Sequence, residues 1–355
     1  MAGLKKTLKL VVEEGATLSR EEAREMITRI LAPAGEEDGA SDLEIAALLT
    51  AMASRGETAD ELTGVAEAMR RLAVPLPLTD VERARLVDTC GTGGDGLGTF
   101  NISTGAALVA VAAGAHIAKH GNRAITSRCG SADVLEALGI PVTLTPEAAA
   151  DCLRATGFMF LYAPALHPAL KRVQPVRRAL GFRTIFNLAG PLTNPAGAPA
   201  QVMGVYSESK LMIVAEAMAH LGIRCGLVAH GRNGMDEIAL SVTDAMIVNG
   251  GDGHPSVARV RYGPEMFGMK RAAVRELLGC ESAAENAAIL ERIFEGERGA
   301  RRNIVVVNAA AALFVGGVAG SIEDGVQLAA EAIDSGSVRG KLAQLREFGG
   351  DKERA

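Results

Sequence analysis

The chain is poor in aromatic residues: tryptophan is absent, and Phe, Trp and Tyr together make up 3% of 355 residues. It also lacks a block of basic residues, because 37 Lys and Arg are spread among 42 Asp and Glu and the formal net charge is −5. Surfaces that bind nucleic acids combine clustered cations with aromatic stacking groups. The composition therefore argues against a nucleic-acid-binding protein.

Cysteine is scarce and scattered. The five cysteines are odd in number and form no C-x-x-C pair: Cys90, Cys129, Cys152, Cys225 and Cys280. This pattern argues against structural zinc and against a disulfide framework, and it is typical of proteins in a reducing compartment. We therefore expect a cytoplasmic protein.

Long apolar runs are absent as well. The longest, from Ile304 to Gly320, is interrupted by Asn308 and is shorter than the roughly 20 residues that a membrane span needs. The apolar run near the N-terminus is broken by charged residues after a few positions, so it is a poor signal peptide. We expect no membrane segment, and 48% apolar with 22% charged residues fits a globular enzyme with a sizeable core.

The first eighty residues predict a small helical domain. Three helix starts have the capping-box form, in which a hydroxyl caps a backbone N–H and a glutamate three residues later reaches back: Ser19/Glu22, Ser41/Glu44 and Thr58/Glu61. Apolar residues recur at helical spacing after the first and third starts. Pro75 and Pro77 mark a hinge or boundary, so we place one domain at 1–80 and a second at 81–355.

Beyond Val81, strand-like apolar runs alternate with amphipathic helices. The runs are Leu86-Val87, His116–Ala118, Phe158–Tyr162, Val202–Tyr206, Gly226–Ala229 and Ala245–Val248. This alternation predicts an α/β fold with a mostly parallel central sheet flanked by helices, in which ligands bind at the carboxyl ends of the strands. The last part, from Ala283 to about Phe348, is expected to form successive helices with buried alanine-rich faces.

One stretch, residues 88–133, concentrates glycines, small hydroxyls and cationic groups. Leu86-Val87 predict the end of a short strand, Gly91 to Gly98 cannot lie inside a helix, and an apolar helix then runs to about Ala113. A glycine loop that leads into a helix start presents backbone N–H groups to an anion, and a phosphate suits it best. The loop contains neither the dinucleotide fingerprint nor the P-loop pattern, and on its own it is also compatible with a plain tight turn.

Polar side chains in and after the glycine loop add possible ligands. Asp95 places a carboxylate inside the loop, which suits a divalent cation or a ribose hydroxyl. Asn101, Ser103 and Thr104 supply side-chain donors at the predicted helix start. The loop and the helix start together predict a phosphate site with a cation beside it.

Farther along the same stretch, Lys119 follows an apolar run at a point where strand ends converge, which favours contact with an anion. Ser127 and Ser131 flank a second turn of small residues. Ser131 precedes a helix expected near Asp133 and could equally be a plain N-cap.

Two other features have ordinary explanations from the sequence alone. Asp236-Glu237 could be an acidic turn, and Arg177 beside Arg178 could be a solvated helix charge. Their roles change only when the whole pattern of motifs is considered.

Six motifs resemble, in order and spacing, the anthranilate phosphoribosyltransferases of tryptophan biosynthesis: GTGGDGLGTFNIST, KHGNRA, GSADVLEALG, RTIFNLAGPLTNP, DEIAL and NAAAAL. The resemblance covers nearly the whole chain. It implies a fold like that of the type II nucleoside phosphorylases, in which a small helical domain, completed by a segment near 165–192, is joined by hinges to a larger α/β domain. It also implies a homodimer formed through the helical domains.

The activity that the resemblance implies is Mg²⁺-dependent transfer of the phosphoribosyl group from 5-phosphoribosyl 1-pyrophosphate (PRPP) to the amine of anthranilate, the second step of tryptophan biosynthesis from chorismate. Two Mg²⁺ per subunit are expected. Two relatives of the same fold remain as alternatives, a pyrimidine nucleoside phosphorylase and a nucleic-acid-binding protein. The first would show a different lysine and serine signature, and the second a basic groove.

The resemblance also implies a role for individual residues. The PRPP site would contain Gly91, Gly93, Gly94, Asp95, Thr99, Asn101, Ser103, Thr104, Lys119 and Ser131. The anthranilate site would contain Gly91, His120, Asn122, Arg177 and Pro191. The metal ligands would be Ser103, Asp236 and Glu237. No catalytic base is certain; His120 is the only nearby candidate, and packing against or hydrogen bonding to anthranilate is its expected role.

Overall fold

The N-terminal part of the protein is a small helical domain. A computed structural model describes residues 3–33, 39–124, 129–251 and 254–353. The domain contains α1 (Gly3–Glu13), α2 (Arg20–Leu31), α3 (Asp42–Arg55) and α4 (Ala59–Arg71). All three predicted capping boxes are confirmed, each with both reciprocal hydrogen bonds. The loop between α2 and α3 lies partly outside the described residues, at 34–38.

The larger α/β domain is built on one sheet of seven strands, in the order β3-β2-β1-β4-β5-β6-β7. The strands are β1 (Leu86–Gly91), β2 (His116–Gly121), β3 (Phe158–Tyr162), β4 (Ala200–Gly204), β5 (Cys225–Gly231), β6 (Thr243–Asn249) and β7 (Ser256–Tyr262). The pairs among β1 to β5 are parallel, and β6 and β7 are antiparallel additions at one edge. The predicted mostly parallel sheet is confirmed.

Twelve further α-helices lie in the described ranges after α4. They are α5 (Asp80–Arg83), α6 (Ile102–Ala112), α7 (Ser131–Ala137), α8 (Pro146–Thr156), α9 (Ala163–Leu166), α10 (Gln174–Leu180), α11 (Ile185–Ala189), α12 (Leu211–His220), α13 (Ala283–Phe294), α14 (Ala300–Val315), α15 (Ile322–Asp334) and α16 (Ser337–Glu353). None of the helices in the described ranges combines the length and the apolar character that a membrane crossing requires. The predicted helical C-terminal part is confirmed by α13 to α16.

Two strand predictions need correction. Leu86-Val87 begin β1 rather than end it, because Asp88 and Thr89, which look like loop residues, are buried inside the strand. The run predicted to reach Tyr206 ends at Gly204, where the pairing of β4 with β1 and β5 stops. The strand β7 was not predicted, because most of its side chains are exposed or half-exposed and it has no apolar run.

The sheet separates the apolar core into layers. Val87 and Ile117 point to the face that is covered by α6, α14 and their neighbours. Leu86 and Ala118, one residue away in each strand, point to the opposite face. Side chains alternate between faces along a strand, so both layers are filled from the same strands.

The segment 165–192 packs against the helical domain. Val176 of α10 together with Ile185 and Phe186 of α11 belong to the same apolar cluster as the buried residues of α2, α3 and α4. The proposed completion of the helical domain by this segment and the boundary at residue 80 stay predictions.

The strand order sets the position of a crevice. The chain leaves β1 through α6 to reach β2 on one side, whereas β4, on the other side of β1, leads through α12 to β5. The connections therefore diverge at the carboxyl ends of β1 and β4, where Gly91 pairs with Gly204. In open α/β sheets, ligands bind at such a divergence.

Candidate active site

The glycine loop begins at this divergence, and two hydrogen bonds of Thr92 hold its first residues against the end of β4. The amide of Thr92 donates to the carbonyl oxygen of Gly204 at 2.9 Å, and the Thr92 hydroxyl accepts from the amide of Tyr206 at 3.1 Å. Gly93 and Gly94 follow with φ angles of +66° and +73°, which favour glycine. The loop therefore leaves the sheet in one defined direction.

Asp236 approaches this loop from the connection between β5 and β6. Its Oδ2 accepts a hydrogen bond from the amide of Gly93 at 2.8 Å. A Cβ on Gly91 would lie 2.5 Å from the same oxygen, and a Cβ on Gly204 would lie 1.5 Å from the Asp236 carbonyl oxygen. Only glycine at both strand ends leaves room for Asp236 at this place.

Asn308 of α14 fixes the continuation of that segment. Its Oδ1 accepts from the Ile238 amide at 3.0 Å, and its Nδ2 donates to the Ile238 carbonyl oxygen at 2.9 Å. Asn308 is buried, so this two-way bond is shielded from water. The DEIAL and NAAAAL motifs meet here, and their meeting holds Asp236-Glu237 beside the glycine loop.

Asp236 and Glu237 form an acidic centre with Asp95. Both side chains are half-buried. Loss of hydration raises the pKa of Asp236, and the Asp95 carboxylate raises it further. Loss of hydration and repulsion by Asp236 raise the pKa of Glu237 well above its usual range. Such mutual repulsion is relieved when a cation lies among the carboxylates.

The acidic centre fits a magnesium ion that is completed by a substrate. In the described ranges, no group of three or more His, Cys, Asp or Glu side chains is arranged to hold a metal ion alone. Mg²⁺ characteristically takes one or two carboxylates, several waters and substrate phosphate oxygens. The donors at this centre are hard oxygens, and Oδ2 of Asp95 is buried without a hydrogen-bond partner. The residues present therefore fit a phosphate-assisted Mg²⁺ site.

Lys119 lies beneath the loop rather than at its surface. Its side chain is 2% exposed, and its Nζ donates to the Thr89 carbonyl oxygen at 2.5 Å and to the Ser103 Oγ at 3.4 Å. Burial lowers its pKa, and the charges of Asp88 and Glu237 oppose that effect. In this structure Lys119 is the buried cation between two carboxylates and reaches the predicted phosphate site through Ser103.

A buried carboxylate, Asp88, organises the floor of the site. Its Oδ1 accepts from the His120 amide at 3.1 Å, and its Oδ2 accepts from Gln201 Nε2 at 3.4 Å. Gln201 also donates to the Pro191 carbonyl oxygen at 2.7 Å. Burial raises the pKa of Asp88 to about 6. This network links β1, β2, β4 and the turn that contains Pro191.

His120 is buried and packs against a second buried histidine, His167. Their ring centroids are 5.1 Å apart at an interplanar angle of 53°, and Nε2 of each ring has no hydrogen-bond partner. Burial, with repulsion from His167, lowers the pKa of His120 to about 3. An imidazole with so low a pKa is a weak base near neutral pH. The low pKa of His120 thus argues against proton abstraction, and its expected contact with anthranilate stays a prediction.

The buried state of His167 predicts a pH dependence of stability. Burial lowers its pKa from 6.5 to about 4, so the unfolded chain binds a proton more readily than the folded one. Folding stability is therefore lost as the pH falls from about 6.5 towards 4. We expect His167→Gln to reduce this loss by up to about 3 kcal/mol, measured by urea unfolding at pH 7 and pH 4.5. An unchanged loss would show that His167 does not stay neutral in the folded protein.

The side chains at the start of α6 take several orientations. Asn101 is the N-cap by position but makes no capping bond, and its Nδ2 donates to the Cys129 carbonyl oxygen at 3.1 Å. Ser103 contacts Lys119, whereas Thr104 is 1% exposed in the core. Thr99 forms an isolated antiparallel bridge with Leu278. The backbone of Ser103 also hydrogen-bonds to Glu237, which joins the start of α6 to the acidic centre.

The second predicted turn is described only in part. Ser127 lies outside the described residues. The helix α7 begins at Ser131, two residues before the expected start, and its N-cap is Gly130 rather than Ser131. The Ser131 hydroxyl donates to the Asn122 carbonyl oxygen at 3.2 Å. This bond joins a predicted PRPP residue to a predicted anthranilate residue.

Arg177 lies on α10, away from the sheet. Its guanidinium lies over the Phe186 ring, 5.4 Å from the centroid, and burial lowers its pKa. Arg178 is exposed. Arg177 is therefore packed rather than solvated, and it forms no ion pair within the described part of the chain.

Several residues that shape the site were not predicted. They are Asp88, Gln201, Gly204, His167, Arg183 and Asn194, whose Nδ2 donates to the Ala118 carbonyl oxygen at 2.8 Å. Asn194 and Arg183 lie inside the motif RTIFNLAGPLTNP, which offered a signal for them. The others carry polar groups that the fold buries, or a glycine between apolar strand residues, and a single sequence gives no sign of their partners.

Comparison with protein families supports a common architecture. A model of the glycosyl transferase family α/β domain matches residues 83–339, and a model of that family's helical bundle domain matches residues 6–73. An anthranilate phosphoribosyltransferase of Pelotomaculum thermopropionicum is 49% identical over 98% of this chain and 97% of its own length. The chain belongs to the anthranilate phosphoribosyltransferase family. A relative from Solibacter usitatus with the same name is 51% identical over 87% of this chain and 89% of its length.

Solved structures of the family have the same fold. Anthranilate phosphoribosyltransferase from Thermus thermophilus is 42% identical, with a TM-score of 0.87 over 98% of this chain and 99% of that one. The enzyme from Saccharomyces cerevisiae, in complex with PRPP and Mg, is 26% identical, with a TM-score of 0.85 over 99% and 98% of the two chains. The predicted combination of a small helical domain with a larger α/β domain is confirmed.

Proposed function

We propose that this protein transfers the phosphoribosyl group of PRPP to the amine of anthranilate and releases pyrophosphate, as the second step of tryptophan biosynthesis from chorismate. One observation carries the proposal. The glycine loop and the Asp236-Glu237 pair meet at the divergence between β1 and β4, where the Gly93 amide binds Asp236. Anion donors and metal-binding oxygens at one point suit a diphosphate with its cation.

The PRPP site is proposed to follow the glycine loop into the start of α6. The loop backbone and the α6 N-terminus provide N–H groups for the phosphates. The proposed ligands are Gly91, Gly93, Gly94, Asp95, Thr99, Asn101, Ser103, Thr104, Lys119 and Ser131. Lys119 acts through its bond to Ser103 and offsets the negative charge of Glu237.

Ser103, Asp236 and Glu237 are the proposed Mg²⁺ ligands, with two ions per subunit. When bound, Mg²⁺ neutralises negative charge on the departing pyrophosphate. The chain orients these ligands through the Gly93 amide, the room left by Gly91 and Gly204, and the Asn308 bond. The complex of the yeast relative with PRPP and Mg supports a role for magnesium in this family.

The anthranilate site is proposed beside the buried Asp88 network. It would contain Gly91, His120, Asn122, Arg177 and Pro191. The aromatic amine of anthranilate is neutral near pH 7, so it can attack the anomeric carbon without prior deprotonation. The low pKa of His120 agrees with a reaction that needs no strong base. A complex of the yeast relative with 4-fluoroanthranilate supports a site for this substrate class.

The protein's contribution to the rate would then be positioning and charge stabilisation. Positive charge develops on the ribose ring as in glycoside chemistry, and negative charge develops on the pyrophosphate. Fixed backbone donors stabilise the leaving group without reorganisation during the reaction. Closure between the domains excludes water, which otherwise competes with the amine.

The assembly is proposed to be a cytoplasmic homodimer that pairs through the helical domains. Leu43 on α3 is 83% exposed, and Val12 on α1 is 57% exposed. The dimer itself is proposed from the family resemblance, and these two side chains are available for contact in it.

Arg177→Ala is expected to raise the KM for anthranilate by roughly 10- to 100-fold and the KM for PRPP by less than about twofold. A guanidinium pairs with both oxygens of a planar carboxylate, and its loss costs about 1.5–3 kcal/mol. Initial rates at varied concentrations of each substrate measure the two constants. Arg178→Ala, which removes the exposed neighbouring guanidinium, is the matched control and should change neither. An equal rise in both constants would place Arg177 outside the anthranilate site.

The activity itself is tested by following anthranilate fluorescence with purified protein, PRPP and Mg²⁺. We expect the fluorescence to fall only when all components are present, and to persist when any one is omitted. Persistent fluorescence in the complete mixture, with protein shown to be folded by circular dichroism, would exclude anthranilate as the acceptor. Pyrophosphate release with another aromatic amine would then identify a different acceptor for the same donor.

A further inference from the structure

Arg183 lies on the connection between α10 and α11 and reaches the glycine loop. Its Nη2 donates to the Gly94 carbonyl oxygen, and its guanidinium carbon lies 4.2 Å from the centroid of the Tyr206 ring. The residue is exposed and forms no ion pair within the described ranges. One contact of the guanidinium is therefore with the loop that follows β1, and the other is with the residue Tyr206 that follows β4.

The contact with Gly94 sets the direction of a peptide group. In a trans peptide the C=O and the following N–H point in opposite directions. Because Arg183 holds the Gly94 carbonyl on its own side, the N–H of Asp95 points away from Arg183. In the described part of the chain, this N–H donates to no other protein group. Glycine at position 94, with φ +73°, would otherwise let this peptide turn over at little cost.

The contact with the Tyr206 ring holds the Arg183 guanidinium in place. Tyr206 follows β4, and its own amide donates to the Thr92 hydroxyl at 3.1 Å. Arg183, Tyr206 and Thr92 therefore form a closed chain of contacts around residues 92–94, which we call the loop clasp. A planar guanidinium can stack flat on a ring and donate in its own plane at once, whereas an ammonium has no plane to stack.

The position of Arg183 also links the loop clasp to the helical domain. Val176 of α10, before it, and Phe186 of α11, after it, are buried in the apolar cluster that contains α2, α3 and α4. Arg183 is therefore flanked on both sides by residues that pack against the helical domain. Through Arg183, the loop clasp connects this segment to the glycine loop.

We propose that Arg183 is a positioning residue for the phosphate donor, which orients the Gly94–Asp95 peptide so that its N–H faces the pyrophosphate of PRPP. This inference deepens the proposed function and rests on it. Arg183 acts through the backbone of the glycine loop, so its loss should weaken the binding of PRPP and leave the anthranilate site intact.

Direct binding of PRPP with Mg²⁺, measured by calorimetry without anthranilate, tests this role. We expect Arg183→Ala to raise the Kd for PRPP by roughly tenfold, as for loss of one well-placed donor, with the KM for anthranilate changed by less than about twofold. Arg183→Lys keeps the charge but not the planar fork, so it should recover only part of the affinity. Arg178→Ala is the control for removing a cation from the same segment.

A double-mutant cycle with Tyr206→Leu tests the clasp itself. If the ring holds the guanidinium, the two losses of PRPP affinity should be clearly less than additive, because either change releases the same peptide. Full recovery by Arg183→Lys would assign Arg183 a role by charge alone and overturn the proposal. An unchanged PRPP Kd in Arg183→Ala, or a change shared equally by anthranilate, would also overturn it.

Failure of the proposed function gives a different result. A wild-type protein that binds PRPP but does not consume anthranilate contradicts the proposed transfer, and the PRPP Kd values still decide the role of Arg183. A wild-type protein that consumes anthranilate while Arg183→Ala binds PRPP normally contradicts only the positioning role. Circular dichroism and thermal unfolding of each variant separate a local effect from loss of fold.

Discussion

The double variant Asp236→Asn with Glu237→Gln is expected to lower Mg²⁺-dependent turnover by at least about 10³-fold, measured by loss of anthranilate fluorescence at saturating substrates. The stabilisation of a departing charge by a metal amounts to several kcal/mol, and about 4 kcal/mol corresponds to this factor. Both substitutions keep the size of the side chain and remove its charge. The Asn side-chain oxygen can still accept the hydrogen bond from the Gly93 amide.

The same variant should remain folded, and in metal-free buffer its thermal midpoint should not fall. Loss of hydration raises the pKa of both carboxyl groups, repulsion from Asp95 adds to it at Asp236, and repulsion from Asp236 adds to it at Glu237, so neutral amides relieve a cost in the folded state. The matched control is Glu323→Gln with Asp324→Asn, an exposed pair in the first turn of α15. Turnover of the first double variant at the wild-type level would remove the metal assignment.

Gly204→Ala is expected to cause the second large effect, a loss of at least about 10²-fold in turnover together with a destabilisation of about 3 kcal/mol. An added Cβ would lie 1.5 Å from the Asp236 carbonyl oxygen and 2.2 Å from its carbon. These are backbone atoms on both sides, and β4 is paired with β1 and β5, so neither partner can turn aside. Overpacking at rigid sites costs about 1–3 kcal/mol and occasionally more.

Urea unfolding and the fluorescence assay measure both parts of this effect. Gly340→Ala is the control, because a Cβ there meets nothing within 4 Å on the helix α16, and it should stabilise the protein by about 0.5–1 kcal/mol. If Gly204→Ala has wild-type stability and turnover, the segment that contains Asp236 does not pack against the end of β4.

The sequence predicted those parts of the fold that local patterns encode. Capping boxes such as Ser19/Glu22 depend on residues three apart and were recognised directly. The parallel sheet followed from apolar runs alternating with helices. The strand β7 was missed because its exposed edge gives no apolar run, and β1 appeared too short because Asp88 is a buried charge inside a strand.

The candidate site was predicted as a set of residues but not as a geometry. The motifs identified the glycine loop and Asp236 as site residues. They did not show that Gly204 makes room for Asp236. They named Lys119 as a phosphate contact, whereas the fold buries it below Ser103. Contacts between residues more than 80 positions apart, such as Arg183 with Gly94, depend on chain topology. No local sequence pattern predicts such contacts.

The most direct test of the account is the ratio of pyrophosphate released to anthranilate consumed, followed in one mixture by phosphorus NMR and fluorescence. The account predicts equal amounts in the wild-type protein, a product with the mass of N-(5-phosphoribosyl)anthranilate, and neither change above background in the variant that lacks the charges of Asp236 and Glu237. Pyrophosphate release without consumption of anthranilate would contradict it, because the site would then pass the phosphoribosyl group to water or to another acceptor.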